Sequence, residues 1–456
     1  MIASDFLPKI GDFGVNCRKI RFYCLHLSHV WSRVETKEGG GIRCYTAECT
    51  TYQLNTKMKH LFRKMLFCLL GMSTAVMASA QLLPTPPPTE HAWQLLNVCS
   101  QKNSDGNVCV SPLSLEVAMA MLLNGADDDT ELQIAKTFGW AHYDRSEVNK
   151  MQQKRMKTLT SGHGIMVELA NSVWVNRHLK RVKRSFTRNN AKYYNAEVGR
   201  VYMSEETRVG INNWCAAHTH DKIPTILSQL DPETKLLLIN ALYFKGSWMS
   251  HFEKELTENK PFYPSLGAEV VEVPMMMRKG FYNYAQTTDC QIVELPFKCA
   301  GGPQYSMYFI LPAKGVSAND LLRGMNDDRW NQLTAALKSR EVRLSMPRFK
   351  MEYSSTLNNA LMQMGVRDAF VPGKADFSRI TNSSLAVSSV LQKTFLEVNE
   401  YGAEGAAVTA IAVMTTALPR PNMVEVMTLD RPYLYLIVEK TTNSVLFMGK
   451  MENPGK

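Results

Sequence analysis

Between Gly402 and Arg420 of this 456-residue chain only one side chain is charged, Glu404, and no proline interrupts the run before Pro419. So little charge is what burial demands, since an unpaired buried charge costs several kcal/mol or neutralises itself. The run is nonetheless punctuated like a loop, with Gly402 at one end and Pro419 and Pro421 at the other. A membrane-spanning helix needs about 20 apolar residues; this stretch is shorter and Thr-dotted, with more globular sequence after it, so a span is not expected. Catalytic motifs are missing too. The chain has no G-x-S-x-G elbow, Walker loop, H-E-x-x-H or paired C-x-x-C, so no catalytic residue, metal site or cofactor is assigned. Repeats and long low-complexity tracts are absent, and no linker divides 90–454.

The charge balance is less basic than it first looks. Of the formal +10, residues 1–80 supply 11 Lys/Arg against 5 Asp/Glu, leaving 41 against 37 for the rest. That is a mildly basic solvated surface, and it gives little support to a nucleic-acid partner. From Met58, MKHLFRKMLFCLLGMSTAVMASAQ has the three parts of a secretory leader: basic Lys59, Arg63 and Lys64, an apolar stretch, and Ala78-Ser79-Ala80 before Gln81. Residues 58–80 therefore read as a signal peptide cleaved near Ala80, and 1–57 as an upstream extension of the reading frame. Cys17, Cys24, Cys44 and Cys49 fit no zinc spacing. Cys68 lies inside the apolar stretch, where ordinary cleavage is expected rather than lipid attachment. Export implies a secreted protein, or one held in the periplasm or at the cell surface. Five cysteines remain beyond Ala80: Cys99, Cys109, Cys215, Cys290 and Cys299. A domain of this size needs no disulfide staples, and they read as small buried hydrophobes.

Residues 81–90 are a Pro-rich tether, and 91–454 read as one mixed α+β domain. Helical periodicity appears near His91, in SPLSLEVAMAMLLNGA with Ser111 and Pro112 at its start, in VGINNWCAAHTHDKI and in STLNNALMQMG. MVELANSVWVN, LLLINALYFKG, VVEVPMMM, FYNYAQ, QIVELPF, YSMYFILP, VRLSMPRFKMEY, YLYLIVEK and SVLFMGKM read as strands. His218 and His220 fall two apart on a helix and read as surface histidines rather than metal ligands. The Lys180–Arg184 cluster reads as a solvated basic turn, and the Met runs as adaptable core.

Seven segments in order resemble the serpin family over residues ~88–454. They are NVCVSPLSLEVAMAMLLNGA, INNWCAAHTHDKI, INALYFKGSW with FEKELT, VEVPMMM, MPRFKMEYSSTLNNALMQMG, KTFLEVNEYGAEGAA and RPYLYLIVEKTTNSVLFMGKMENP. The resemblance implies three β-sheets, about eight or nine helices, and an exposed reactive-centre loop, here about 400–425. In that family a protease cleaves the loop, and the loop's N-terminal half inserts into the central sheet while the acyl-enzyme persists. It further implies a monomer that is not an enzyme, acting on serine proteases with cysteine proteases as a further class, and a non-inhibitory carrier or chaperone as the alternative. The leader suggests a bacterial-type exported member.

An inserting strand alternates its side chains between two faces. Counted from Gly402, Ala403, Gly405, Ala407, Thr409, Ile411 and Val413 share one face; Glu404, Ala406, Val408, Ala410, Ala412 and Met414 share the other. The first face is uncharged and begins with the smallest residues, so it is expected to be buried, with Glu404 outward. The resemblance thus assigns a hinge to Glu400, Gly402, Ala403, Glu404, Gly405, Ala406 and Ala407. The family's usual count of sixteen residues from the hinge glutamate, here Glu400, implies a reactive bond at Thr416-Ala417, while its count back from Arg431-Pro432-Tyr433 implies Pro421. The loop is thus about five residues longer than the common pattern, leaving Met414, Leu418 and Arg420 as alternatives. Thr416 would suit an elastase-like or broad-specificity protease. The resemblance also implies a hydrogen-bonded cluster controlling sheet opening at Ser111, Ser114, Asn240 and Gln392. Gln392 stands where many relatives have histidine, so pH sensitivity is expected to be lost there.

Overall fold

The computed structural model describes residues 89–265, 268–403 and 424–455, and the backbone of 31–37 and 41–46. The leader over 58–80, most of the tether, and the loop positions from Glu404 to Arg420 lie outside the described residues. The chain forms two units, Met1–Thr85 and Pro86–Lys456. In the first, β1 (Trp31–Lys37) and β2 (Gly41–Thr46) pair antiparallel.

The second unit opens with α1 (Glu90–Lys102), β3 (Val108–Val110), α2 (Pro112–Leu123), α3 (Asp128–Thr137) and α4 (Arg145–Leu159). Then follow β4 (Ile165–Asn176), α5 (Arg184–Tyr194), β5 (Glu197–Val201), α6 (Glu205–His218) and β6 (Leu236–Ser247). Next come β7 (Glu258–Phe262), β8 (Val271–Gln286), β9 (Cys290–Pro296), β10 (Tyr305–Pro312), α7 (Ala318–Arg323) and α8 (Asp327–Ala335). β11 (Lys338–Pro347), β12 (Phe349–Thr356), α9 (Asn358–Met364), β13 (Ser389–Asn399) and β14 (Gly402–Ala403) lead to β15 (Glu425–Thr428), β16 (Tyr433–Glu439) and β17 (Ser444–Met451).

One sheet has the order β12-β13-β14-β6-β4-β5. The other runs β15-β11-β8-β9-β10-β16-β17-β3, with β7 also on β8. Two of the three expected sheets are thus continuous through β8. VVEVPMMM and FYNYAQ are one 16-residue strand, because β11 pairs with it from Met275 to Tyr284, across the expected break. The converse holds for VRLSMPRFKMEY. It splits at Arg348 into β11 and β12, which belong to different sheets.

Local chemistry sets the helices that matter for the site. Pro112 at the first helical position costs no hydrogen bond, and Ser111 Oγ accepts the Ser114 N–H as an N-cap. Every residue of α2 is buried, which wedges it between the sheets. Its Glu116 is held by Arg155 Nη1 at 2.5 Å and His91 Nε2 at 3.4 Å. Burial alone would raise this carboxyl, but Arg155 and His91 hold it well below the usual carboxylate range. On the opposite face of the six-stranded sheet, a second apolar cluster joins Ile211 and Cys215 of α6 and Ile223 beyond it to Trp174, Leu237 and Ile239. Helix α6 ends at His218, so His220 is not helical as expected but lies in the following turn at φ 49°.

Candidate functional site

The six-stranded sheet is divided at one end. β13 and β6 pair directly and in parallel only over Ser389–Gln392 and Leu237–Asn240. Further along, Gly402 and Ala403 lie between them, with Ala403 opposite Val398 on one side and Gly246 on the other. Between these two pairings, residues 393–397 of β13 and 241–245 of β6 border a slot with no intervening strand among the described residues. Leu396, Val398, Leu242 and Phe244 belong to the inner core on this slot's inner side, as does Ala403, which is fully buried.

The mouth of the slot is tightly fixed. Glu400 is buried, accepts a 2.8 Å bond from Thr257 Oγ1, and lies 3.7 Å from Arg348 Nη1. Its carbonyl accepts the Phe252 N–H at 2.9 Å, and the Tyr401 carbonyl accepts that of Trp248 at 2.8 Å. The Trp248 indole donates to the Asn399 carbonyl at 2.9 Å while stacking on Phe297, centroids 4.6 Å apart. Glycine is required at 402, since a Cβ there would fall 2.0 Å from the Gly246 carbonyl oxygen. Trp248, Thr257 and Arg348 fall within the family-like segments INALYFKGSW, FEKELT and MPRFKMEY, but the sequence gives them no role at the site, because only the fold brings them to Glu400.

At the closed end of the slot stands a row of amides. The Ser111 N–H donates to Gln392 Oε1 at 2.9 Å, and Gln392 Nε2 donates to the Ser111 carbonyl at 2.8 Å. Two residues on, Thr394 Oγ1 donates to the Cys109 carbonyl at 2.8 Å. Asn240 is opposite Gln392 in register, but its Nδ2 donates to Asn171 Oδ1, and Asn171 Nδ2 reaches the Tyr194 carbonyl at 3.1 Å. Asn240 Oδ1 and Ser114 Oγ are buried with no hydrogen-bond partner among the described residues. The structure therefore brings all four sequence-assigned residues to one place, though Asn240 bonds to Asn171 rather than to Gln392. Thr394 could have been found, being two residues from Gln392 on the same face of a strand.

The rest of the domain offers little reactive chemistry. Cys99, Cys109, Cys215 and Cys290 are buried free thiols and Cys299 is half-buried. Burial pushes Cys99 up to about 11 and Cys215 to about 12, far from thiolate at neutral pH. Among the described residues no group of three His, Cys, Asp or Glu side chains could hold a metal ion, and no helix is long and apolar enough to cross a membrane.

These features define the class: an α+β domain whose central sheet is open at one end, with the start of a further segment already seated there. The serpin (serine protease inhibitor) family profile matches residues 88–454. The chain belongs to the serpin family, a family of protease inhibitors rather than catalysts. It is 33% identical over 382 residues to the leukocyte elastase inhibitor of Homo sapiens, covering 80% of this chain and 98% of that one. An uncharacterized serpin-like protein of Methanosarcina acetivorans is 33% identical over 363 residues, covering 76% and 82%. Among solved structures, the native state of the thermophilic serpin tengpin superposes with a TM-score of 0.71 at 30% identity, covering 80% of this chain and 93% of that one. Human thyroxine-binding globulin does so at 0.73 and 25% identity, covering 80% and 97%.

Proposed function

We propose that the chain is an exported suicide-type inhibitor that traps serine proteases, with cysteine proteases as a further target class, through insertion of its cleaved loop into the divided sheet. The observation that carries this reading is the seat of Ala403. It is the first inward residue of the charge-poor run, and it occupies the strand position between β13 and β6. Continuing that antiparallel register sets residues 404–408 opposite 397–393 of β13 and 245–241 of β6, filling the slot. Gly405 and Ala407 then meet the inner core beside Leu396 and Leu242, where larger side chains would overpack. Glu404 falls outward beside Lys245. Thr409, the only polar residue on the inner face, reaches the row of Gln392 and Asn240. Residues 409–412 enter only as the four direct β13–β6 pairs separate.

Thr416-Ala417 is the favoured reactive bond, with Met414, Leu418 and Arg420 as alternatives, and an elastase-like or broad-specificity enzyme as the favoured target. Incubation with elastase-, trypsin- and subtilisin-like proteases tests the reading. A denaturant-resistant complex with one of them is expected, and the released C-terminal peptide identifies the bond by mass. Export by the leader predicts a mature N-terminus at Gln81 in the secreted protein.

The carrier reading draws support from the likeness to a thyroxine-binding globulin. It would be favoured if every protease cleaved the loop and departed, leaving no complex.

A further inference from the structure

Strand β15 is the first described element after the loop, and among the described strands it pairs only with β11. The Leu429 N–H just beyond it donates to the Ser345 carbonyl of β11 at 2.9 Å. In a parallel ladder successive residues turn their backbone groups to opposite sides, so Met427 faces β11 while Val426 and Thr428 face away from it. On that unpaired side lies a cavity of about 390 Å³, bounded by β15, the hairpin between β8 and β9, and the chain that leaves β10. Gln291 Nε2 reaches across to the Val426 carbonyl at 3.1 Å. The floor is apolar, with Leu311 and Cys290 each only 1% exposed. Arg431 and Lys314 bring two cations to the wall, against the single carboxylate of Asp430. Asp430 Oδ1 takes Arg431 Nη1 at 2.9 Å and the Pro312 carbonyl takes Nη2 at 2.6 Å, but Arg431 Nε is buried with no hydrogen-bond partner among the described residues. Lys314 is exposed and has no ion pair among the described residues.

We propose that this cavity binds an acylated amino acid with a free carboxylate, as a small molecule or as the end of a peptide. The carboxylate meets Arg431 Nε and Lys314, where charge-assisted hydrogen bonds form and a buried donor gains the acceptor it lacks. The acyl-amide group lies along the open edge of β15, whose Val426 and Thr428 N–H groups have no ladder partner among the described strands. A side chain of about leucine size rests on Leu311 and Cys290. Cavities of roughly 300–1,000 Å³ with an apolar floor and a few convergent polar groups are the usual form of small-ligand sites. The site requires neither cleavage of the loop nor its insertion, so it stands or falls apart from the inhibitor reading.

The test titrates the intact, uncleaved protein with N-acetylleucine, followed by ligand-observed nuclear magnetic resonance. N-acetylleucinamide, of the same size but without the carboxylate, runs beside it. Saturable binding of the acid is expected, about tenfold tighter than that of the amide. Lys314→Gln should weaken the acid about threefold and Arg431→Gln about tenfold, with the amide little changed. Arg431 also holds Asp430 and Pro312, so its variant is judged together with Ala313→Trp. Ala313 lines the cavity, and a tryptophan there should fill it and abolish binding while the melting point stays near that of the wild type. An acetylated tetrapeptide ending in leucine separates the two sources, since the tighter of the two acids marks the kind of ligand the site takes. Equal affinity for acid and amide, or unchanged binding in Ala313→Trp, would overturn the proposal. Absence of saturable binding to the wild type would do the same.

Discussion

The side-chain amide of Gln392 and the backbone of Ser111 pair in both directions, N–H to Oε1 at 2.9 Å and Nε2 to carbonyl at 2.8 Å. A glutamine here imitates one rung of a β-ladder and ties β13 to the start of α2. Both ends of the contact are buried, so its loss leaves the Ser111 N–H without water, while the Ser111 carbonyl still accepts the Leu115 N–H at 3.2 Å. The tie sits where β13 and β6 stop pairing directly, so it also fixes where the sheet begins to open.

Gln392→Leu should therefore destabilise the uncleaved protein by about 1–3 kcal/mol, as the buried Ser111 N–H loses its acceptor while the Ser111 carbonyl keeps the Leu115 N–H. Denaturant midpoints of variant and wild type, measured before any cleavage, check this. Because glutamine does not titrate, the wild-type contact should also hold from pH 5 to 8. A Gln392→His variant should instead make the midpoint pH-dependent in that window.

Glu116 predicts a pH dependence at a second place. Its folded carboxyl is held below its unfolded value by Arg155 and His91, despite the burial that opposes this. The stability it contributes is therefore present above the unfolded carboxyl range and is lost as pH falls through that range toward the folded value. Wild-type unfolding midpoints should drop between pH 5 and 3. Glu116→Gln should flatten that slope while costing about 3 kcal/mol at pH 7, because the nearly buried Arg155 loses its counter-charge.

Ala403→Arg should convert the protein from inhibitor to substrate. Ala403 is wholly buried and faces Val398 and the inner core, so an arginine there cannot seat without desolvating its charge. Denaturing gels with a target protease should show cleaved protein in place of the stable complex. A complex formed in wild-type yield would mean that inhibition does not depend on a small residue at this seat.

Much of this was legible in the sequence, for identifiable physical reasons. Ala403, the first residue that the alternation after Gly402 assigns inward, is fully buried, and strand periodicity is a local signal. The Pro112 start of α2 and the apolar strands β16 and β17 are likewise local signals. What stayed hidden depends on contacts distant along the chain. Arg348 reads as the middle of a strand, yet it is where one sheet gives way to another, and it reaches Glu400 only in the folded protein. His220 reads as helical because the periodicity of INNWCAAHTH continues past His218, whereas the turn and its grip on Glu168 are tertiary. If the register of Ala403 continued as proposed, Val408, Ala410 and Ala412 would face Ala241, Ile239 and Leu237, which lie in the apolar cluster under α6, a contact that strand alternation alone does not reveal.

Cleavage within 414–420 should raise thermal stability sharply, because insertion adds about ten ladder hydrogen bonds at ~1 kcal/mol net each. A melting point unchanged or lowered by cleavage would place the lowest-energy arrangement in the uncut protein and favour the carrier reading. Thr409→Val separates this gain into its parts. The proposed register would bring Thr409 to the row where Asn240 Oδ1 is buried with no hydrogen-bond partner among the described residues, so its hydroxyl would supply a donor once the strand is in place. Valine has nearly the same shape and no hydroxyl, so it should leave the uncleaved melting point unchanged. In the cleaved protein it should cost about 1–2 kcal/mol. Equal melting points for the two cleaved proteins would show that Thr409 stops short of Asn240, and that the strand enters in a different register from the one Ala403 begins.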